Sequence, residues 1–170
     1  FFSRVNGNHV MPPWLSLMID ALPSLLWACL VFTVPLTLLS FALGLALGFV
    51  AAITRLFAPK PLAAIVRFYV WIIRGTPLLV QLFLIFYGLP SVGIVLDAFP
   101  AALIGFTLNV GAYTSEIIRA VLLSVSKGQW EAAYSIGMTW SQAMRRTILP
   151  QATRIAIPPL SNTFISLVKD

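Results

Sequence analysis

Apolar residues fall into four runs, and their lengths decide what each can be. The run at 21–53 would be about 50 Å long as a helix, against a hydrocarbon core of roughly 30 Å, so part of it is expected to tilt, kink or protrude. Pro35 is the expected kink, and Gly44 and Gly48, one helical turn apart, offer either a close-packing surface or a lipid-facing one. A second run at 76–87, extending toward 96, follows an amphipathic approach that carries Arg67 and Arg74. The third, at 99–125, is interrupted by Asn109, Glu116 and Arg119. The fourth, at 155–168, holds about 14 residues, too few to span alone. The pattern predicts an all-α, polytopic membrane protein with residues 1–20 ahead of the first span.

Between the third and fourth runs lies a polar stretch, 126–151, with its own punctuation. Ser126 with Gln129 and Thr139 with Gln142 each read as a capping box, a hydroxyl accepting from the N3 amide while the Gln reaches back. Gly137 sits where the first short helix must stop, because a residue without Cβ enters the left-handed conformation cheaply. Pro150 is expected to close the second helix. Ala132 and Ala133 give the first helix a smooth face that a partner's wall can approach closely. By capping alone, the same stretch also reads as an ordinary helix-turn-helix connector.

Composition places this pattern in a class. Hydrophobic residues make up 59% of the chain, charged residues 9%, and mean hydropathy is +0.95, where a soluble domain carries roughly a quarter charged residues. The net charge of +6 comes from eleven Lys and Arg dispersed between apolar runs, with no basic block or stacking platform, which argues against nucleic acid. The distribution orients the chain instead. Arg55, Lys60 and Arg67 lie between the first and second runs, and Arg119, Lys127, Arg145, Arg146 and Arg154 between the third and fourth. The connection at 89–100 carries only Asp97. Excess Lys and Arg marks cytoplasmic loops, so 126–151 is expected in the cytoplasm and 1–20 outside.

Chemistry is sparse. The single Cys29 and lone His9 make no metal or disulfide framework, and no cofactor is expected. His9, Asp20, Asp97 and Glu116 are too scattered for a catalytic constellation. No Gly-x-x-x-x-Gly-Lys-Ser/Thr cradle precedes Lys60, Lys127 or Lys169, so any ATP chemistry must come from another chain. The start at Phe1 and the short last run read as cut ends; Met11 could serve as a native start.

Several motifs together resemble a known family. Gly128-Gln129-Trp130-Glu131-Ala132-Ala133, Gly137, Ile148-Leu149-Pro150-Gln151-Ala152, Pro158-Pro159-Leu160-Ser161-Asn162 and Leu167-Val168-Lys169-Asp170 resemble the permease subunit of bacterial ATP-binding-cassette (ABC) importers, in the polar amino acid branch. Arg74-Gly75-Thr76-Pro77 and Gln81 extend the likeness, which covers roughly 21–170 and is closest in wording to cystine permeases. One departure is Thr147, where the broad importer pattern places Ile; Ile148 follows, as in the amino acid branch.

The resemblance implies a type I importer transmembrane domain over 21–170, with about four of five core spans present and the fourth incomplete. Residues 1–20 would then be a periplasmic segment and 126–151 the cytoplasmic coupling loop, the EAA loop. It implies that Glu131, Ala132, Ala133 and Gly137 contact an ATP-binding subunit. The further partners are a second permease copy or a sibling, a periplasmic or lipid-anchored solute-binding protein, and an amino acid substrate, L-cystine first among candidates. The implied location is the bacterial inner membrane, multi-pass. A secondary transporter or channel independent of ATP is the alternative, although no paired internal repeat supports it.

Within the spans, Asn109, Tyr113 and Glu116 share one helix face. Glu116 reads either as an ion pair with Arg119, three residues on, or as a carboxylate on a translocation path. Arg74 reads as a snorkelling interfacial residue or a brace for the second span, and Gln81 as an interhelical hydrogen-bond donor or a path residue.

Overall fold

The computed structural model describes residues 12–169, and His9 and Met11 lie outside them. All regular structure among the described residues is helical. The chain divides into two units, Phe1–Pro35 and Leu36–Asp170.

In the first unit, α1 covers Pro13–Ala28, beginning ahead of the run expected at 21, and Pro23 lies inside it. Where a kink was expected at Pro35, the helix instead widens into a π turn at Cys29–Thr33, with the Val34 amide bonding the Cys29 carbonyl five residues back. Widening by one residue relieves the clash a proline ring makes with the preceding turn.

α2 covers Val34–Phe57. The stretch Trp14–Phe57 is long and apolar enough to cross a membrane, and so is α5, Ala98–Ser124, within a residue at each end of the run expected at 99–125.

The second span is where sequence and structure differ. The amphipathic approach is a full helix, α3 (Lys60–Gly75), followed by α4 (Leu78–Phe83), a π turn at Leu84–Gly88 and a 3-10 turn at Leu89–Val92. α3 and the helix after it meet at 108°, and only together do they pass as one broken span or a re-entrant loop. Pro77 supplies no amide hydrogen to the end of α3, which leaves the Ile73 carbonyl without its helical donor. Gln81 fills that place, its Nε2 donating to the Ile73 carbonyl at 2.7 Å and to the Thr76 carbonyl at 3.0 Å.

α2, α3 and α5 meet along small residues. The Gly44 and Gly48 pair packs on α5, as one of the two sequence readings had it. A Cβ on Gly44 would lie 2.6 Å from Val110 Cβ, and the Thr114 hydroxyl donates to the Gly44 carbonyl at 3.2 Å. Tyr69 of α3 donates to the Leu108 carbonyl at 2.6 Å. A seam of this kind suits a bilayer, where helices gain nothing by hiding apolar side chains from lipid and associate through close packing.

Beyond α5 come α6 (Lys127–Ser135), α7 (Trp140–Ala143), a π turn at Met144–Ile148 and α8 (Leu149–Lys169). Pro150 does not close the second loop helix. The π turn re-routes the Leu149 amide to the Met144 carbonyl, and the helix runs through Pro150 to Lys169. The π turn and the start of α8 pack against the end of α5, with Ile148, Ala152 and Ala156 meeting Val121, Leu122 and the following Val125, and Ile148 fully buried.

Candidate functional site

The elbow between α6 and α7 is built by two local devices. The Gly137 amide bonds the Tyr134 carbonyl at 2.9 Å and the Met138 amide bonds the Ala133 carbonyl at 3.1 Å, with Gly137 at φ +79°. That pair of bonds with a left-handed residue is a Schellman stop, and it satisfies carbonyls the helix end would otherwise orphan. α7 then opens with a complete capping box. Thr139 Oγ1 accepts from the Gln142 amide at 3.4 Å, and the Thr139 amide donates to Gln142 Oε1 at 2.9 Å.

The other expected capping box is absent. Ser126 stands at the N-cap of α6 with no side-chain capping bond, and the Gln129 amide bonds the Ser126 backbone carbonyl instead. Gln129 Oε1 accepts from Gln151 Nε2 at 2.9 Å, a tie between α6 and α8 that competes with the local box.

Glu131 and Ala132 are exposed on α6, as is Gly137 at the elbow. Ala133 is not: it is 3% exposed and turned toward its own chain, where α6 packs on the Met144–Ile148 turn, so the smooth face expected of both alanines is reduced to Ala132. Trp130 anchors α6 from the same side, packing on the cluster around Ile148. The Glu131 carboxylate makes no ion pair among the described residues.

Inside the bundle, the stripe of Asn109, Tyr113 and Glu116 is divided between two cavities. Asn109 and Tyr113 line one of ≈430 Å³ with Thr76, Pro77 and Leu78 from the bend and Asn162, Thr163 and Ser166 from α8. Asn109 Nδ2 donates to Gln81 Oε1 at 3.2 Å, so the bend and α5 hold one another. The wall carries no charged side chain, and its hydroxyls and amides, set among apolar groups such as Val110 and Leu167, can offer donors and acceptors to a small polar solute. The Asn162 and Ser166 contribution went unread, although two polar residues four apart in an apolar helix are a usable signal. A larger cavity of ≈700 Å³, lined by residues such as Leu45, Phe49, Ile53, Leu149 and Leu160, has little to recognise a polar solute with.

Glu116 lines the second polar cavity, ≈420 Å³, with Arg55, Arg67, Val70, Trp71, Arg74 and Gly75. Its Oε1 accepts from Arg119 Nε at 3.1 Å and also from Arg119 Nη2, and its Oε2 accepts from Arg55 Nη1 at 2.7 Å. The Arg119 pairing was legible in the sequence. Arg55, 61 residues away, was not, and it makes Glu116 a clamp between α2 and α5. Arg74 neither pairs with an acid nor merely snorkels: its guanidinium sits over the Tyr113 ring, 5.3 Å from the centroid.

Residues 44–170 match the family described as binding-protein-dependent transport system inner membrane component. The L-cystine transport system permease protein TcyB of Bacillus subtilis (strain 168) is 60% identical over 139 residues, 82% of this chain and 59% of TcyB. A protein of Vibrio harveyi named "Probable amino-acid ABC transporter permease protein PatM" is 45% identical over 155 residues, 89% of this chain and 69% of that one. The chain thus spans about three fifths of the length of TcyB. Among solved structures, the crystal structure of an amino acid ABC transporter with histidines superposes with a TM-score of 0.84 at 41% identity, covering 94% of this chain and 74% of that one.

Proposed function

The chain belongs to the family of binding-protein-dependent transport system inner membrane components, and from that premise we propose that it forms the permease of an ATP-driven importer of polar amino acids. L-cystine is the first substrate to try, given the likeness to TcyB. In this reading residues 21–170 belong to the transmembrane domain, 1–20 face the periplasm of a bacterial inner membrane, and 126–151 dock on a separate ATP-binding subunit. A second permease copy or sibling completes the path, and a solute-binding protein delivers substrate.

The observation that carries the reading is the elbow. It is exposed, doubly terminated by the Schellman stop and the Thr139 cap, and fastened to the spans through Trp130 and Gln151. A rigid, outward-facing angle with an unpaired Glu131 is suited to being gripped. Docking then falls to Glu131, Ala132 and Gly137, with Ala133 supporting the helix from beneath. Asn109 and Tyr113 face the solute, and Glu116 braces the path at its loop-side edge. ATP hydrolysis belongs to the partner.

The test uses the full-length permease with its ATP-binding and solute-binding partners in proteoliposomes. Gly137→Val and Glu131→Lys should leave expression largely intact while releasing the ATP-binding subunit or uncoupling its hydrolysis from uptake. Normal copurification and normal uptake in both variants would reduce the loop to a connector. ATP-independent accumulation by the permease alone would favour a secondary transporter. Orientation is checked in a Cys29→Ser background: Ser91→Cys should react with an impermeant thiol reagent from outside, and Ser141→Cys should not.

A further inference from the structure

Three arginines, Arg55, Arg67 and Arg74, line the cavity that holds Glu116 as its one carboxylate, so two positive charges remain uncompensated there. Arg119 also bonds Glu116, which deepens the imbalance. Among the described residues, Arg67 and Arg74 have no carboxylate within ion-pair distance, and the buried Nε of Arg55 has no hydrogen-bond partner. Arg67 and Arg74 are both exposed, so their charges are open to an anion that enters this cavity.

Arg67 and Arg74 lie two turns apart, on one face of α3. The Arg74 guanidinium lies over the Tyr113 ring, and among the described residues no hydrogen bond engages its N–H donors. Those donors form a fork that matches a carboxylate in two parallel bonds. Tyr113 is also a wall of the neighbouring uncharged cavity, where Asn109, Asn162, Thr163 and Ser166 offer hydrogen bonds but no charge. A solute that bears a carboxylate beside other polar groups matches the chemistry of the two linings.

We propose that Arg67 and Arg74, beside the Arg55–Glu116 pair, form a binding station for the carboxylate of an amino acid passing through the permease. The inference rests on the proposed transport function and adds the charge that selects the substrate.

The experiment compares L-cystine with cystamine, the same disulfide without its carboxylates, for equilibrium binding to the full-length permease with its ATP-binding subunit in nanodiscs. Arg67→Gln and Arg74→Gln should each weaken L-cystine binding about tenfold, ~1.4 kcal/mol, and leave cystamine unchanged. Equal losses for both ligands, or no loss for L-cystine, would overturn the station. A second readout separates this idea from the transport reading. Trp71 lines the same cavity, so N-acetylglycine should change its fluorescence, judged against Trp71→Phe, and N-acetylglycinamide should not. If the complex imports no amino acid but this carboxylate response is present and lost in Arg74→Gln, the transport reading fails and the anion site stands. No response to N-acetylglycine, or a response only to phosphatidylglycerol nanodiscs over phosphatidylcholine ones, rejects the carboxylate site, the latter in favour of a lipid phosphate.

Discussion

Gly48 and Gly137 are both held to glycine, for opposite reasons. A Cβ on Gly48 would overlap Thr114 Oγ1 and lie 2.9 Å from both the Gly111 carbonyl oxygen and the Ser115 nitrogen. A Cβ on Gly137 would meet nothing within 4 Å; only its own φ of +79° excludes one. In the seam the neighbours forbid a side chain, whereas at the elbow the backbone does. The seam therefore decides whether the bundle closes, and the elbow decides where the loop points.

The comparison breaks or sharpens at graded cost. Gly48→Ala should be the most damaging, about 3 kcal/mol, because the obstacles include backbone atoms that cannot rotate away. A large fall in melting temperature in detergent is expected, and an unchanged one would mean the seam is slack. Glu116→Gln should cost ~2 kcal/mol, less than a fully buried pair, since the side chain keeps 26% exposure. The folded variant should lose the tie to Arg55, and wild-type stability together with wild-type transport would remove Glu116 from both the brace and the path.

Gly137→Ala should cost about 1 kcal/mol of backbone strain with no clash, visible as a small melting shift in a protein that still inserts. A loss as large as that of Gly48→Ala would erase the distinction. The smallest effect separates the two caps. Thr139→Ala removes a long capping bond, about 0.5 kcal/mol, and should speed amide exchange in α7 roughly twofold, while Ser126→Ala should leave α6 unchanged.

What the sequence disclosed follows the range of the interactions. Hydropathy located α5 to within a residue because a long apolar run needs no partner to be recognised. It under-read α3 because Arg67 and Arg74 fall on the same face as the buried Ala63 and Val70, so the charges dilute the average. Gly137 and Thr139 were legible because backbone conformation and capping are local. The Ser126 box failed because Gln129 found Gln151, 22 residues on. Pro150 was misread because a proline breaks a helix only where the preceding turn cannot widen. Arg55 meeting Glu116 needed the fold itself.

The uninterrupted helix through Pro150 makes the segment from Trp140 to Lys169 a single lever. Its short arm ends at the elbow and its long arm carries Asn162 and Ser166 in the cavity wall, with Ile148, fully buried, at the natural fulcrum. At 1.5 Å per residue, each degree of tilt about Ile148 sweeps Ser166 by roughly 0.5 Å. The gearing favours stroke over force: a small displacement at the elbow corresponds to a larger travel at Asn162 and Ser166.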